Sequence, residues 1–243
     1  STDNDGIRGW NGQENKPMGQ WLAAGLDTLK PVSRRVSVEN GKCGEFIRIA
    51  REFAGKPSYG TIGFVQTISV NADGSLKFDQ SYRIPEKMPS LPRIGVVAVL
   101  ASGFENFEWF GRGPWENYID RNRSARVGAY ASTVTANCDF NYILPQENGN
   151  RTDTRELAVS ASGCEVRITA AKPFEFGLSH YTAADLFGAY HKEELKMRKE
   201  TILTLDLIQR GLGTGSCGPQ TLPQYEVSEK EYEFSFDLDI VKQ

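Results

Sequence analysis

Tyr232-Glu233-Phe234-Ser235-Phe236-Asp237-Leu238-Asp239-Ile240 alternates apolar and polar side chains without a break. A strand points successive side chains to opposite faces, so this period of two describes a strand with one face buried and one in water. The same period recurs upstream. Ile62, Phe64, Ile68 and Val70 share one face, and Leu76, Phe78, Tyr82 and Ile84 follow at spacings of two and four. Between them Asn71-Ala72-Asp73-Gly74-Ser75 carries turn chemistry, so the pair reads as a β-hairpin. Similar runs cover residues 46–53, 93–100, 104–110, 164–170, 174–180 and 201–209. Helical signal is small. Pro17 precedes Met18 to Gly25 with Pro near a start and Gly near a stop, and Thr182-Ala183-Ala184-Asp185 reads as a capping-box start. With no βαβ alternation, internal repeat, low-complexity tract or long linker, the reading is all-β. Residues 1–243 form one antiparallel β domain, two packed sheets with long loops and one or two short helices.

Composition narrows the function classes. The 243 residues are 39% hydrophobic and 24% charged, an ordinary globular balance with enough chain to bury a core without staples. A net charge of −3 with scattered Lys and Arg forms no basic stripe, which argues against nucleic acid. No apolar run approaches the ~20 residues that span a bilayer. Two His and no Cys-x-x-Cys argue against a zinc site, and no metal ligands are assigned. Cys43, Cys138, Cys164 and Cys217 read equally as thiols or as two bridges. The chain begins Ser1-Thr2-Asp3-Asn4-Asp5, without Met or a charged-then-apolar leader, and reads as a domain cut from a longer protein rather than a signal peptide.

The most unusual stretch is Trp109-Phe110-Gly111-Arg112-Gly113-Pro114-Trp115-Glu116-Asn117-Tyr118-Ile119-Asp120-Arg121. Two Gly and a Pro force an irregular backbone after a strand, and flat apolar faces stand beside Glu116, Asn117, Asp120 and Arg121. Stacking plus polar hydrogen bonds suits a sugar, but residue types alone favour a loop that plugs the sandwich end. Asp3-Asn4-Asp5-Gly6 clusters acceptor oxygens but fails the calcium-loop spacing, since position six is Arg8. Glu147-Asn148-Gly149-Asn150-Arg151 with Thr154-Arg155-Glu156 reads as a solvated hairpin, or as a place where Arg151 and Arg155 clamp a carboxylate. Gly211-Leu212-Gly213-Thr214-Gly215-Ser216-Cys217-Gly218-Pro219 lacks the following helix of a phosphate site and reads as a long loop. Cys217 has no His near it in sequence and reads as a small thiol. His180 and His191 flank the second helix, where structural roles are favoured.

Taken in order, seven stretches resemble the C-terminal β-sandwich domain of the bacterial β-galactosidases of glycoside hydrolase family 2, domain 5, or the small chain where it is a separate subunit. They are Thr2-Asp3-Asn4-Asp5, Trp21 with Ala24-Gly25, the loop from Gly113 to Arg121, Pro145-Gln146-Glu147-Asn148-Gly149, Thr154-Arg155-Glu156-Leu157, Ser179-His180-Tyr181-Thr182, and Gly211-Leu212-Gly213 through Pro219. The resemblance implies a large antiparallel sandwich of galactose-mutarotase-like type, within a parent enzyme that retains configuration while cleaving terminal β-galactosides such as lactose. Such chemistry needs two carboxylates ~5–5.5 Å apart. In this family they lie on a (β/α)8 barrel, for which this chain has neither the length nor the pattern, so no residue here is assigned as catalytic and the isolated chain is expected to be inactive. The implied role is one wall of the active-site pocket and support of assembly. The implied wall residues are Gly113, Trp115, Glu116, Asn117, Asp120, Arg121, Gly215, Ser216 and Cys217, with Asp3, Asn4, Asp5, Glu147, Asn148 and Arg155 as secondary candidates. No cofactor is implied for this chain, with Mg or Na assigned to other domains of the parent. The implied partners are those other domains and a galactoside or related glycan, in a homo-oligomeric parent of the bacterial cytoplasm or periplasm. Cys217 stands where many members carry a sugar-stacking Trp, a role left to Trp115 or Tyr225. Ile119 replaces a common Pro, and Trp115 a polar residue.

Two other functions use related features. An aldose mutarotase on this fold needs an acid and a base in one cleft, with His180 or His191 beside Glu147 as the available pair. A stand-alone carbohydrate-binding module needs exposed coplanar aromatics, chiefly Trp10, Trp115 and Tyr225.

Overall fold

The computed structural model describes residues 2–41, 44–138 and 142–242, so Ser1 and Cys43 lie outside the described residues. The deciding stretch is the last strand. In chain order the strands are β1 (Lys30–Gly41), β2 (Gly44–Ala54), β3 (Thr61–Val70), β4 (Leu76–Arg83), β5 (Arg93–Leu100), β6 (Asn106–Gly113), β7 (Arg126–Thr133), β8 (Arg151–Ala161), β9 (Cys164–Ser179), β10 (Thr201–Gln209) and β11 (Glu231–Lys242). On β11, Phe234 and Phe236 are buried between exposed Glu233 and Ser235, whereas Ile240 near the strand's end is exposed. The hairpin read at residues 62–84 is β3–β4, closed by Asn71 N–H donating to Ser75 O at 2.8 Å and by Gly74 at a φ of 90°.

The helices are short. α1 (Pro17–Ala24) opens on Pro and ends on Gly25, whose φ of 75° only glycine adopts freely. α2 (Val134–Asn137) is one turn, and α3 (Ala183–Gly188) carries a reciprocal capping box between Thr182 and Asp185. Among the described residues there are three short α-helices, one more than the expected one or two. The extra one, α2, is too short for periodicity to reveal, and it is held by the Thr133 hydroxyl accepting from Ala136 N–H.

All named strand pairs are antiparallel, in the order β1-β2-β3-β4-β11-β9-β8-β6-β7, with β10 and β5 branching from β9. β9 makes the branch. Its first part, residues 164–169, pairs with β11, and its last part, residues 175–179, pairs with β10. Between these parts the register against β8 slips, Glu156 facing Thr169 and Thr154 facing Phe174, so the extra residues bulge outward at exposed Ala171-Lys172-Pro173. The long sheet thus packs on a short layer of β5, β10 and the end of β9. Cross-layer contacts include Phe176 edge-on to Phe107 at 6.0 Å and Tyr82 Oη donating to Gly95 O at 3.3 Å. The core holds Phe107, Trp109, Leu157, Phe176, Leu203 and Phe234. Cys138, Cys164 and Cys217 are free thiols, which removes the two-bridge alternative.

Candidate functional site

Four chain-distant segments meet at one end of the sandwich: residues 2–6, the loop after β6, residues 142–150 before β8, and the loop after β10. Together they line a cleft of about 340 Å³ that includes Asp3, Asn4, Arg121, Tyr142, Glu147 and Cys217. Side chains hold the segments by satisfying loop backbone groups that would otherwise need water. Asp120 accepts from Leu212 N–H at 3.0 Å and Gly213 N–H at 2.7 Å. Arg121 donates to Gly213 O, and Lys16 Nζ to Gly215 O at 2.6 Å. Asn4 Oδ1 accepts from both Ser216 N–H at 3.2 Å and Ser216 Oγ at 3.0 Å. Gly215 must be glycine here, because a Cβ would lie 2.4 Å from Asn4 O. These contacts leave Cys217 exposed at the rim.

Below the rim the bonding turns inward. Asp3 N–H donates to Gln146 Oε1 at 2.9 Å, and Asn148 Nδ2 to Gln146 O at 2.8 Å. Asp5 accepts from Thr2 N–H at 2.8 Å and pairs with buried Arg210 at 3.1 Å. Glu147 pairs with Arg93, which also meets Asp206 at 3.1 Å. Burial pushes the Glu147 carboxyl up, but the charge and hydrogen bond of Arg93 together with further favourable contacts, including the Gln209 side chain, leave it below the usual range. Burial pushes Asp206 up to about 7 against the pull of Arg93. Burial likewise pushes Glu175 up to about 8, although Asn150 Nδ2 donates to it at 2.6 Å.

Not every candidate from the sequence lines the cleft. Gly113 ends β6, where a Cβ would lie 2.7 Å from the Tyr130 ring. Trp115 is 56% exposed and outside the cleft lining. Glu116 accepts from Tyr142 Oη and from Gly149 N–H at 2.8 Å, so it ties the loop after β6 to the segment before β8. Asn117 is 1% exposed and spends its amide on protein: Thr152 N–H donates to Oδ1 at 3.0 Å, and Nδ2 donates to Trp115 O at 3.1 Å. Arg151 is buried against Gly149 O and the Trp109 ring, and burial pushes its guanidinium down to about 10. Arg155 donates to Asp153 O at 2.6 Å with its guanidinium 5.9 Å from the Phe110 ring, away from the cleft.

Tyr142 is the cleft aromatic that residue types did not single out. Burial and the Glu116 carboxylate hold its phenol well above the ordinary range, so it is neutral. Its only signal was an aromatic residue in an otherwise irregular stretch. The mutarotase pair is not assembled. His180 is buried and engages Glu105 at 3.0 Å and Glu200 O at 3.0 Å, whereas exposed His191 engages Glu194 at 2.8 Å. Among the described residues no group of three or more His, Cys, Asp or Glu is placed to hold a metal, and no helix is long and apolar enough to cross a membrane.

The chain is similar to curated β-galactosidases. It is 33% identical over 237 residues to that of Kluyveromyces lactis, covering 94% of this chain and 22% of that protein. It is 32% identical over 183 residues to that of Staphylococcus xylosus, covering 75% of this chain and 18% of that protein. The chain therefore spans about a fifth of the length of these relatives. Among solved structures it is similar to the GalM/aldose epimerase homologue from C. elegans, at 15% identity and a TM-score of 0.46, covering 86% of this chain and 69% of that one. The family model described as "Beta galactosidase small chain" matches residues 1–238. A match of that extent takes in β1 to β10, most of β11 and every loop of the cleft, and the chain belongs to the β-galactosidase small-chain family.

Proposed function

We propose that residues 1–243 are the C-terminal domain of a retaining β-galactosidase and supply one wall of its galactoside pocket. The observation that carries this reading is the cleft itself. Asp120 and Asn4 clamp a loop that presents Ser216 and Cys217 beside Arg121 and Tyr142, a mixture of polar groups and one aromatic ring suited to a sugar's hydroxyls and apolar face. No retaining carboxylate pair is assigned to this wall. The two Glu belong to another domain, along with any Mg or Na site, and the natural partners are those domains and a terminal β-D-galactoside. Such a division makes the chain a positioning element that sets affinity more than turnover.

Two measurements test this. The purified 243-residue chain should release nothing from a chromogenic β-galactoside. Turnover that follows the folded protein would end the reading. In the full enzyme, Cys217→Trp should lower KM for galactosides by about two- to tenfold, the value of one stacking contact, with kcat little changed. An unchanged or higher KM would mean that the loop does not reach the sugar.

A further inference from the structure

Beneath Glu147 of the cleft wall lies a group of buried charges that the proposed function leaves unused. Asp206 on β10 and Glu175 on β9 are register partners, so their carboxyls leave the sheet on the same side. Glu147 adds a third carboxyl from the segment before β8. Among the described residues Arg93 on β5 is the one cation in ion-pair contact with this group: Nη2 meets Glu147, and Nη1 meets Asp206 at 3.1 Å. The other described groups that face the cluster are neutral. Asn150 and Gln209 supply amides. Burial holds the Tyr82 phenol beside Asp206, and the Tyr118 phenol beside Arg93 and Glu147, well above their ordinary range. Asp206 Oδ1 is buried with no hydrogen-bond partner among the described residues, and glycine at position 95 makes room for it, since a Cβ there would overlap it.

The charge balance of this group depends on protons. With Asp206 and Glu175 protonated, Arg93 faces one carboxylate and its pair with Glu147 is neutral. With both ionised, three carboxylates share one guanidinium in a buried place, where uncompensated charge is costly. That repulsion is relieved through the carboxylate that has a route to water. The Glu147 side chain is 15% exposed and lines the cleft, whereas that of Asp206 is 1% exposed and Glu175 is buried on β9. We propose that Arg93 is a positioning residue that fixes Glu147 in the cleft wall, and that ionisation of Asp206 and Glu175 loosens its hold. Burial brings both ionisations close to neutral pH, to about 7 for Asp206 and about 8 for Glu175. A fixed Glu147 meets a sugar hydroxyl already ordered; a released one must be ordered on binding, which costs affinity. The effect on substrate rests on the galactoside-wall reading, and the movement of Glu147 does not.

Two readouts test this. In the 243-residue chain labelled with carbon-13 at the Glu carboxyls, the Glu147 resonance, assigned by its loss in Glu147→Gln, should move between pH 6 and pH 9. Its own carboxyl is already ionised in that range, so the movement reports its surroundings. Asp206→Asn keeps an oxygen for Arg93 and places an amide nitrogen where Oδ1 is unpartnered, and it should reduce the movement by at least about half. In the full enzyme, KM for a chromogenic galactoside should rise about two- to tenfold over the same pH range, the cost of ordering one side chain, and Asp206→Asn should at least halve that rise. A Glu147 resonance that stays fixed from pH 6 to pH 9, or that moves identically in Asp206→Asn, would overturn the proposal. A resonance that moves as expected beside a KM that does not change would instead overturn the reading that this wall reaches the galactoside.

Discussion

Glu175 illustrates how position outweighs residue type. Its carboxyl is buried, accepts from Asn150 Nδ2 at 2.6 Å and Gln209 N–H at 3.3 Å, and is pushed up from an ordinary 4.5 to about 8 by burial first, with the Asp206 carboxylate adding to it. A raised carboxyl pKa means that the folded state holds its proton more tightly than the unfolded state. The associated stability is full below the unfolded value and is lost as pH rises through about 8. Asp206 adds a similar loss between its ordinary 3.8 and about 7. Thermal denaturation should therefore show Tm falling from pH 5 to pH 9, and Glu175→Gln should flatten the upper part of that fall. An identical slope in the variant would show that Glu175 carries no such linkage. Asn117 makes the same point for the cleft. The residue list identifies an amide suited to a sugar, but the amide's donors and acceptor fit loop backbone equally well, and the fold spends them there. Asp120 and Arg121 were legible as polar loop residues, and their bonds to Gly213 were not, because pairing across the loops depends on tertiary placement.

At the scale of elements, period and punctuation located most strands, and the exceptions have physical causes. β1 shows no clear alternation because it is exposed on both faces, and its polar residues Arg34, Arg35 and Ser37 interleave with valines. β9 reads as two runs because Lys172-Pro173 interrupts the apolar period, although the chain stays extended through the bulge. α3 was legible from its cap. The Thr182 hydroxyl accepts from Asp185 N–H at 3.1 Å, Thr182 N–H donates to Asp185 Oδ2 at 2.8 Å, and Asp185 also pairs with Arg198 at 2.6 Å. Thr182→Ala should cost about 1 kcal/mol of stability by chemical denaturation. A cost near zero would mean that Leu186, buried in the core, holds the helix by packing alone.

For the molecule as a whole, the alternation in β11 indicated a sandwich, but no local pattern indicates which strands become neighbours. The pairing of β11 with both β4 and β9 joins segments more than sixty residues apart, and only the buried faces together define it. Phe107 is 1% exposed, stacked on Trp109 at 5.3 Å and edge-on to Phe176 across the layers. Phe107→Ala should cost about 3–5 kcal/mol and lower the single unfolding transition rather than split it. Two resolved transitions would show that the layers unfold separately. That expectation rests on β9. Layers joined only by loops are free to slide over one another in a shear motion. Here a single strand is woven into both, so a shear between them would tear its hydrogen bonds to β11 or to β10. The weave of β9 therefore opposes shear of the scaffold and leaves movement at the cleft to the loops that Asp120 and Asn4 tether.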